Sequence, residues 1–220
     1  MSPKERLFSG FRQFKRESYA AQVEAYSRLA AGQRPRTMII ACSDSRVDPS
    51  AIFSAGPGEL FVVRNVANLV PPFAADSLYH GTSAALEFAV TGLEVEQVVV
   101  VGHGQCGGIH ACLEASRGRA ASYFIGQWME IAAAARDAVI AGHPGAAEAE
   151  QQRLVEMESI RRSLANLETF PFVREAVESR GMALDGAWFA IAAGDLFWLD
   201  RTTGRFARVA ADADDTQQGK

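Results

Sequence analysis

The sequence predicts an α/β fold: a central, mostly parallel β-sheet flanked by helices, with a long helical arm at the N-terminus. Short apolar runs at residues 37–41 and 97–101 have the length and character of buried strands. Helical patterns separate and follow these runs, and strands alternating with helices build a mostly parallel sheet. Residues 3–30 carry apolar side chains at helical spacing before any strand begins.

The arm opens on Ser2-Pro3-Lys4-Glu5, which has the form of a capping box with proline at the first helical position. Leu7, Phe8, Phe11 and Phe14 follow, then Tyr19, Val23, Tyr26 and Ala30 on a similar stripe, and Gly32 offers the stop. Such an aromatic face needs a surface to cover it. Its own domain is the first expectation and a partner subunit the second.

After the strand at 37–41, Asp48-Pro49 starts a short helix to about residue 55, and Gly56-Pro57-Gly58 turns the chain into a second strand at 59–66. Pro71-Pro72 breaks the chain before a helix at about 76–91. The run at 97–101 is the plainest buried parallel strand. A helix follows Gly107-Gly108, and further helices occupy about 122–180. A final strand pair is expected at 187–191 and 196–199, with Gly194-Asp195 as the hairpin turn. The whole, 1–220, reads as a single domain, with an arm at 1–32 and a flexible tail at 211–220.

The 220 residues carry 22 Lys plus Arg against 26 Asp plus Glu, a net charge of -4 that gives no electrostatic reason to expect nucleic acid or an anionic membrane as partner. The longest strongly apolar run, 98–101, falls far short of the roughly 20 residues that span a bilayer. A charged amphipathic start is unlike a signal peptide, so the expected compartment is the cytoplasm. Three cysteines in such a setting argue against a disulfide scaffold.

Two loops concentrate the chemistry, Cys42-Ser-Asp44-Ser-Arg46 and Gly102-His103-Gly104-Gln105-Cys106-Gly107, each directly after a buried-looking strand. Ligands in open α/β sheets bind outside the carboxyl ends of the strands. If the two strands are neighbours, Cys42, His103 and Cys106 converge as a tetrahedral zinc triad. A fourth position is then left open, the mark of a catalytic rather than a structural site. Cys106 also precedes a helix, whose N-terminus favours a thiolate. Cys112 lies among Ile109, Ala111 and Leu113 and reads as core filler, while His80, His110 and His143 read as surface or helix residues.

A rival is the dinucleotide fingerprint Gly102-x-Gly104-x-x-Gly107. It is weakened because the acidic residue at the right interval, Glu130, sits in a helical pattern and because a phosphate cradle requires neither His103 nor Cys106. A phosphatase loop fails as well, since Arg46 follows Cys42 too closely.

The two loops, with the stretch from Pro57-Gly-Glu to Val-Pro-Pro72 and Glu168-Thr-Phe-Pro-Phe-Val-Arg174, closely resemble the β-class carbonic anhydrases, and their plant-like subgroup in particular. The resemblance implies a zinc (Zn2+) lyase, a carbonate dehydratase that converts carbon dioxide to bicarbonate and a proton through hydroxide generated on the metal. It also implies a homodimer or higher homo-oligomer. Cys42, His103 and Cys106 look like the zinc ligands, and Asp44 and Arg46 like the catalytic pair in which arginine holds the carboxylate. In a closed resting state Asp44 would itself be the fourth ligand. Gln33 matches a substrate-binding glutamine, Phe61 and Val66 match apolar pocket positions, and Phe88 stands where plant-like members have tyrosine. The backbone N–H of Gly107 lies where a small anion would be held. In the family, Gln33 and Phe61 reach the metal across the subunit interface. Ile39 replaces a tryptophan found in a subgroup with an inhibitory bicarbonate site, so no such site is expected. The alternatives are a carbonyl sulfide or carbon disulfide hydrolase of the same fold family and a non-catalytic zinc-binding module.

Overall fold

The computed structural model describes residues 1–75, 80–118 and 123–210. Six strands form one sheet: β1 (Thr37–Cys42), β2 (Leu60–Asn65), β3 (Gln97–His103), β4 (Ala183–Ala190), β5 (Asp195–Asp200) and β6 (Arg205–Arg208), in the order β2-β1-β3-β4-β5-β6. The first four are parallel, and β5 and β6 add antiparallel at one side. In β1 and β3 all residues but the first are buried, which is why both read as unbroken apolar runs.

β3 runs two residues beyond the expected end and so carries His103 within the strand. β4 begins four residues before the expected 187, and β6, short and arginine-flanked, has no apolar signal to reveal it. Gly194 (φ 70°) takes the left-handed conformation in the turn between β4 and β5, as its placement in a hairpin requires.

The helices are α1 (Pro3–Phe14), α2 (Val23–Leu29), α3 (Pro49–Ile52), α4 (Gly81–Glu87), α5 (Gly107–Ser116), α6 (Tyr123–Met129), α7 (Ala133–Gly142), α8 (Glu148–Leu167) and α9 (Pro171–Arg180). A wider π turn, Lys15–Tyr19, extends α1, and another, Phe88–Gly92, extends α4. The expected start of the latter helix at residues 76–79, the residue at 122 and the tail at 211–220 lie outside the described residues. α3 stops at Ile52, short of residue 55, with Asp48 capping the N–H groups of Ser50 and Ala51. Among the described residues no helix is long and apolar enough to cross a membrane.

The arm overturns one expectation. Its capping box forms, with Ser2 and Glu5 bonded reciprocally, yet none of its helical residues is buried. Leu7 is 73% and Phe11 63% exposed, so the aromatic face does not pack on its own domain. Instead Phe14, Tyr19 and Tyr26 gather on one another, ring centroids 5.0–6.3 Å apart. The end of α2 touches the body of the protein, where Leu29 lies over Gly58 so closely that a Cβ there would meet Leu29 Cδ2 at 2.4 Å.

α8 lies directly on the sheet. Ile160 is fully buried against the backbone of β3 and β4, and a Cβ on Gly186 would sit 2.7 Å from Ile160 Cγ2. Burying a side chain of that size stabilises the fold by about 1.5–3 kcal/mol. Leu164, Leu167 and Phe170 continue the contact over Met38, Ile40, Val98 and Val100. This seating brings residues 156 and 152, one and two turns before Ile160, beneath the loop that follows β3.

Candidate metal centre

Cys42 ends β1 and His103 ends β3, two hydrogen-bonded parallel neighbours, so both side chains emerge at the same edge of the sheet. Cys106 is the N-cap of α5 and comes back over that edge. The three ligating atoms lie within 4.8 Å of one another, with the sulfurs 4.0 Å apart, and all three residues are buried.

These residues fit a divalent metal on two counts. The ring of His103 bonds through Nδ1 to the Gly104 carbonyl at 2.9 Å, which makes Nδ1–H the donor and leaves the Nε2 lone pair free. That Nε2 is buried and has no hydrogen-bond partner among the described residues, an expense expected only where something else binds it. The sulfurs agree. The hydrogen bond from Cys106 draws the Cys42 thiol down, and the Cys42 thiolate together with burial pushes Cys106 up. Two adjacent buried thiolates coexist only when a cation neutralises them. Two thiolates and an imidazole form a donor set of zinc-like softness.

The first loop is gripped from β2. Arg64 donates from Nε to the Cys42 carbonyl (2.8 Å) and from Nη2 to the carbonyls of Asp44 (2.6 Å) and Val47 (3.0 Å), and it pairs with Asp48 at 3.3 Å. Within this loop Arg46 holds Asp44 in a fork, Nε to Oδ1 at 2.9 Å and Nη2 to Oδ2 at 2.7 Å, and the Arg46 backbone N–H adds a third bond. Nη2 also reaches the Gln105 carbonyl at 3.0 Å and so ties the two loops together. Asp44 Oδ2 lies 3.9 Å from His103 Nε2. The Arg46 hydrogen bonds hold the Asp44 carboxyl far below the usual carboxylate range, against a smaller opposing effect of burial.

The second loop is gripped from α8 and β4. Glu156, 3% exposed, accepts the Cys106 N–H, and Gln152 and Trp188 close around it. Burial pushes the Glu156 carboxyl up, opposed by these hydrogen bonds. Sequence reasoning singled out neither Arg64 nor Glu156. Arg64 stood inside the quoted stretch without a role, and Glu156 is one of several glutamates in an acidic helix.

The remaining candidates divide. Gly107, the first residue of α5, adjoins the triad, and Val66 lies against that helix, 2.8 Å from where a Cβ on Gly108 would sit. Phe61 and Phe88 contact each other, centroids 5.9 Å apart, but at the far end of the sheet. Phe61 is in register with Met38, four residues before Cys42, which is roughly 13 Å along the strand. Gln33, exposed, precedes β1 at that same far end. One chain therefore brings Cys42, Asp44, Arg46, Val66, His103, Cys106 and Gly107 together and leaves Gln33, Phe61 and Phe88 apart from them. Cys112 is buried core, as expected, and His110 and His143 are exposed. The dinucleotide reading falls, because Glu130 begins a 3-10 turn rather than ending a strand.

The carbonic anhydrase family matches residues 37–196 of the chain. Beta carbonic anhydrase 3 of Arabidopsis thaliana is 39% identical over 209 residues, 92% of this chain and 80% of that protein. The solved structure of the β-carbonic anhydrase CcaA superposes with a TM-score of 0.88 at 30% identity, covering 95% of this chain and 93% of that one. A structure from a study of two tetrameric β-carbonic anhydrases of the filamentous ascomycete Sordaria macrospora gives a TM-score of 0.74 at 26% identity, covering 94% and 98%. The likeness takes in both loops that carry the three donors, and this chain belongs to the β-class carbonic anhydrases.

Proposed function

We propose that, in the hydration of carbon dioxide this family catalyses, Asp44 orients the attacking water and Arg46 keeps the carboxylate from competing with that water. The observation that carries this reading is the two-pronged Arg46–Asp44 pair, whose Oδ2 stands 3.9 Å from His103 Nε2 at the edge of the triad. A bound zinc supplies acidity, lowering the pKa of water far enough to give hydroxide near neutral pH. Two thiolate ligands cancel the ion's formal charge, so this acidity is weaker than at a three-histidine site.

Asp44, ionised and acceptor-only, takes the proton of the nucleophile as a hydrogen bond and so points its lone pair at the substrate carbon. Arg46 uses the donors that a free carboxylate would otherwise lack, and this favours the paired state over one in which Asp44 itself ligates. Val66 offers apolar wall to a substrate with no charge, and the Gly107 N–H suits the anionic product. Gln33, Phe61 and Phe88 reach a triad only from a second copy, so we read the working unit as a homodimer or larger. The uncovered arm supports this reading. Three free thiols, two of them in the triad, suit a reducing cytoplasm.

Asp44→Asn tests the reading. Stopped-flow hydration should fall steeply while metal analysis still finds one zinc per chain. Full activity in the zinc-loaded variant would refute the role.

A further inference from the structure

We propose that Glu156 is the positioning residue of the zinc ligand Cys106: its carboxylate fixes the peptide that aims the Cys106 sulfur into the triad. The inference rests on Cys106 being a ligand and goes beyond it, since Glu156 is not one of the three donors of the triad. Glu156 Oε1 accepts the Cys106 N–H at 2.9 Å and the Gln152 amide at 3.1 Å, and Oε2 accepts the Trp188 indole N–H at 3.1 Å. Gln152 also donates to the Cys106 carbonyl at 3.3 Å, so α8 holds the polar groups on both sides of Cys106 Cα. Trp188 in turn walls the loop, because a Cβ on Gly104 would stand 3.2 Å from its ring.

Two features separate this from ordinary core filling. A buried carboxylate is expensive, and among the described residues no Lys or Arg forms an ion pair with Glu156. Moreover, the three groups around it offer hydrogens. An acceptor-only carboxylate satisfies all of them, whereas the amide of a glutamine, identical in shape, would turn an N–H against one. Cys106 is an N-cap whose N–H has no partner inside its helix, and whichever group takes that N–H sets the direction of the Cα–Cβ bond. The sulfur on that bond lies 4.0 Å from the Cys42 sulfur. A loop free to rotate there would give up a ligand while leaving the rest of the fold in place.

The test is zinc affinity by chelator competition, together with the thiolate-to-metal absorption of the cobalt-substituted protein. Glu156→Gln should weaken zinc binding about 10–100-fold and shift the cobalt band, at unchanged stoichiometry. Trp188→Phe, which removes one donor only, should weaken it several-fold and serves if Glu156→Gln does not fold. Ser159→Ala, a buried change on the same helix, should leave affinity and band as they are. Cys106→Ser is the reference for a lost ligand. If Glu156→Gln and Trp188→Phe bind zinc like the unaltered protein while Cys106→Ser does not, the positioning role is overturned and the ligand stands. If Ser159→Ala weakens binding as much as Glu156→Gln, the effect is general loosening of α8 and the proposal falls.

Discussion

The two ends of the sheet are built in opposite ways. At the carboxyl end of β1 and β3, Cys42, His103 and Cys106 are buried, and the peptides around them are bonded by Arg64 from β2, Arg46 from the first loop and Glu156 from α8. At the amino end, Phe88 is 51% exposed beside Phe61, Gln33 lies in the open, and the arm holds its aromatic face away from its own core. A metal centre needs donors fixed to within tenths of an ångström, so it is assembled from strand ends inside one chain. A pocket for an apolar gas needs mainly dry walls, and these can be lent by another copy. On the proposed reading, the difference separates a self-sufficient metal site from a substrate site completed by a second copy.

The largest break in that contrast is to remove a ligand. Cys106→Ser should take zinc content toward zero and hydration to the uncatalysed rate, read by metal analysis and stopped-flow. Asp44→Asn comes next. Zinc should stay at one per chain while hydration drops by about 100-fold or more. Deleting residues 1–30 attacks the other end. The shortened chain should keep its zinc, sediment as a smaller species and lose activity on the order of 10-fold or more, because donors and pocket walls no longer meet. A shortened chain that sediments and turns over like the full one would show that the amino end completes nothing.

This contrast also explains what the sequence could disclose. β1 and β3 were legible because burial on both faces leaves runs of apolar residues, and the triad was legible because two cysteines and a histidine fall in the two loops that begin at the carboxyl ends of these strands, beside the charged Asp44 and Arg46. The groups that brace the ligands were not. Arg64 acts on carbonyls 17 to 22 residues away and Glu156 on an N–H 50 residues away, and backbone acceptors and donors leave no trace in residue type. The arm misled for another reason, since Leu7, Phe8, Phe11 and Phe14 make the same stripe whether they face their own sheet or another subunit. β6 hid because Arg205–Arg208 pairs by backbone with one neighbour and buries little.

Gly186→Ala sharpens the contrast on the stability side. A methyl group 2.7 Å from Ile160 Cγ2 must push α8 off β4, at a cost of about 1–3 kcal/mol read as a lower melting temperature. Because α8 carries Glu156, the same change should weaken zinc binding, whereas Val23→Ala on the exposed arm should do neither.

The smallest effect is one of pH. Arg46 holds the Asp44 carboxyl well below its ordinary value, so the ion pair's share of stability is complete above the usual aspartate pKa of about 4 and is lost as pH falls through the lowered value. The gap in melting temperature between the unaltered protein and Asp44→Asn should therefore be constant from alkaline pH down to about 5 and narrow only below about 4. Across the neutral range Asp44 does not titrate, and a climb of hydration activity toward alkaline pH belongs to ionisation of the attacking water. The gap and the climb then report two different groups at the same end of the sheet. A gap that closed at neutral pH, in step with the activity, would mean that the carboxylate and the water share one proton, and the separate roles of Asp44 and the metal would have to be merged.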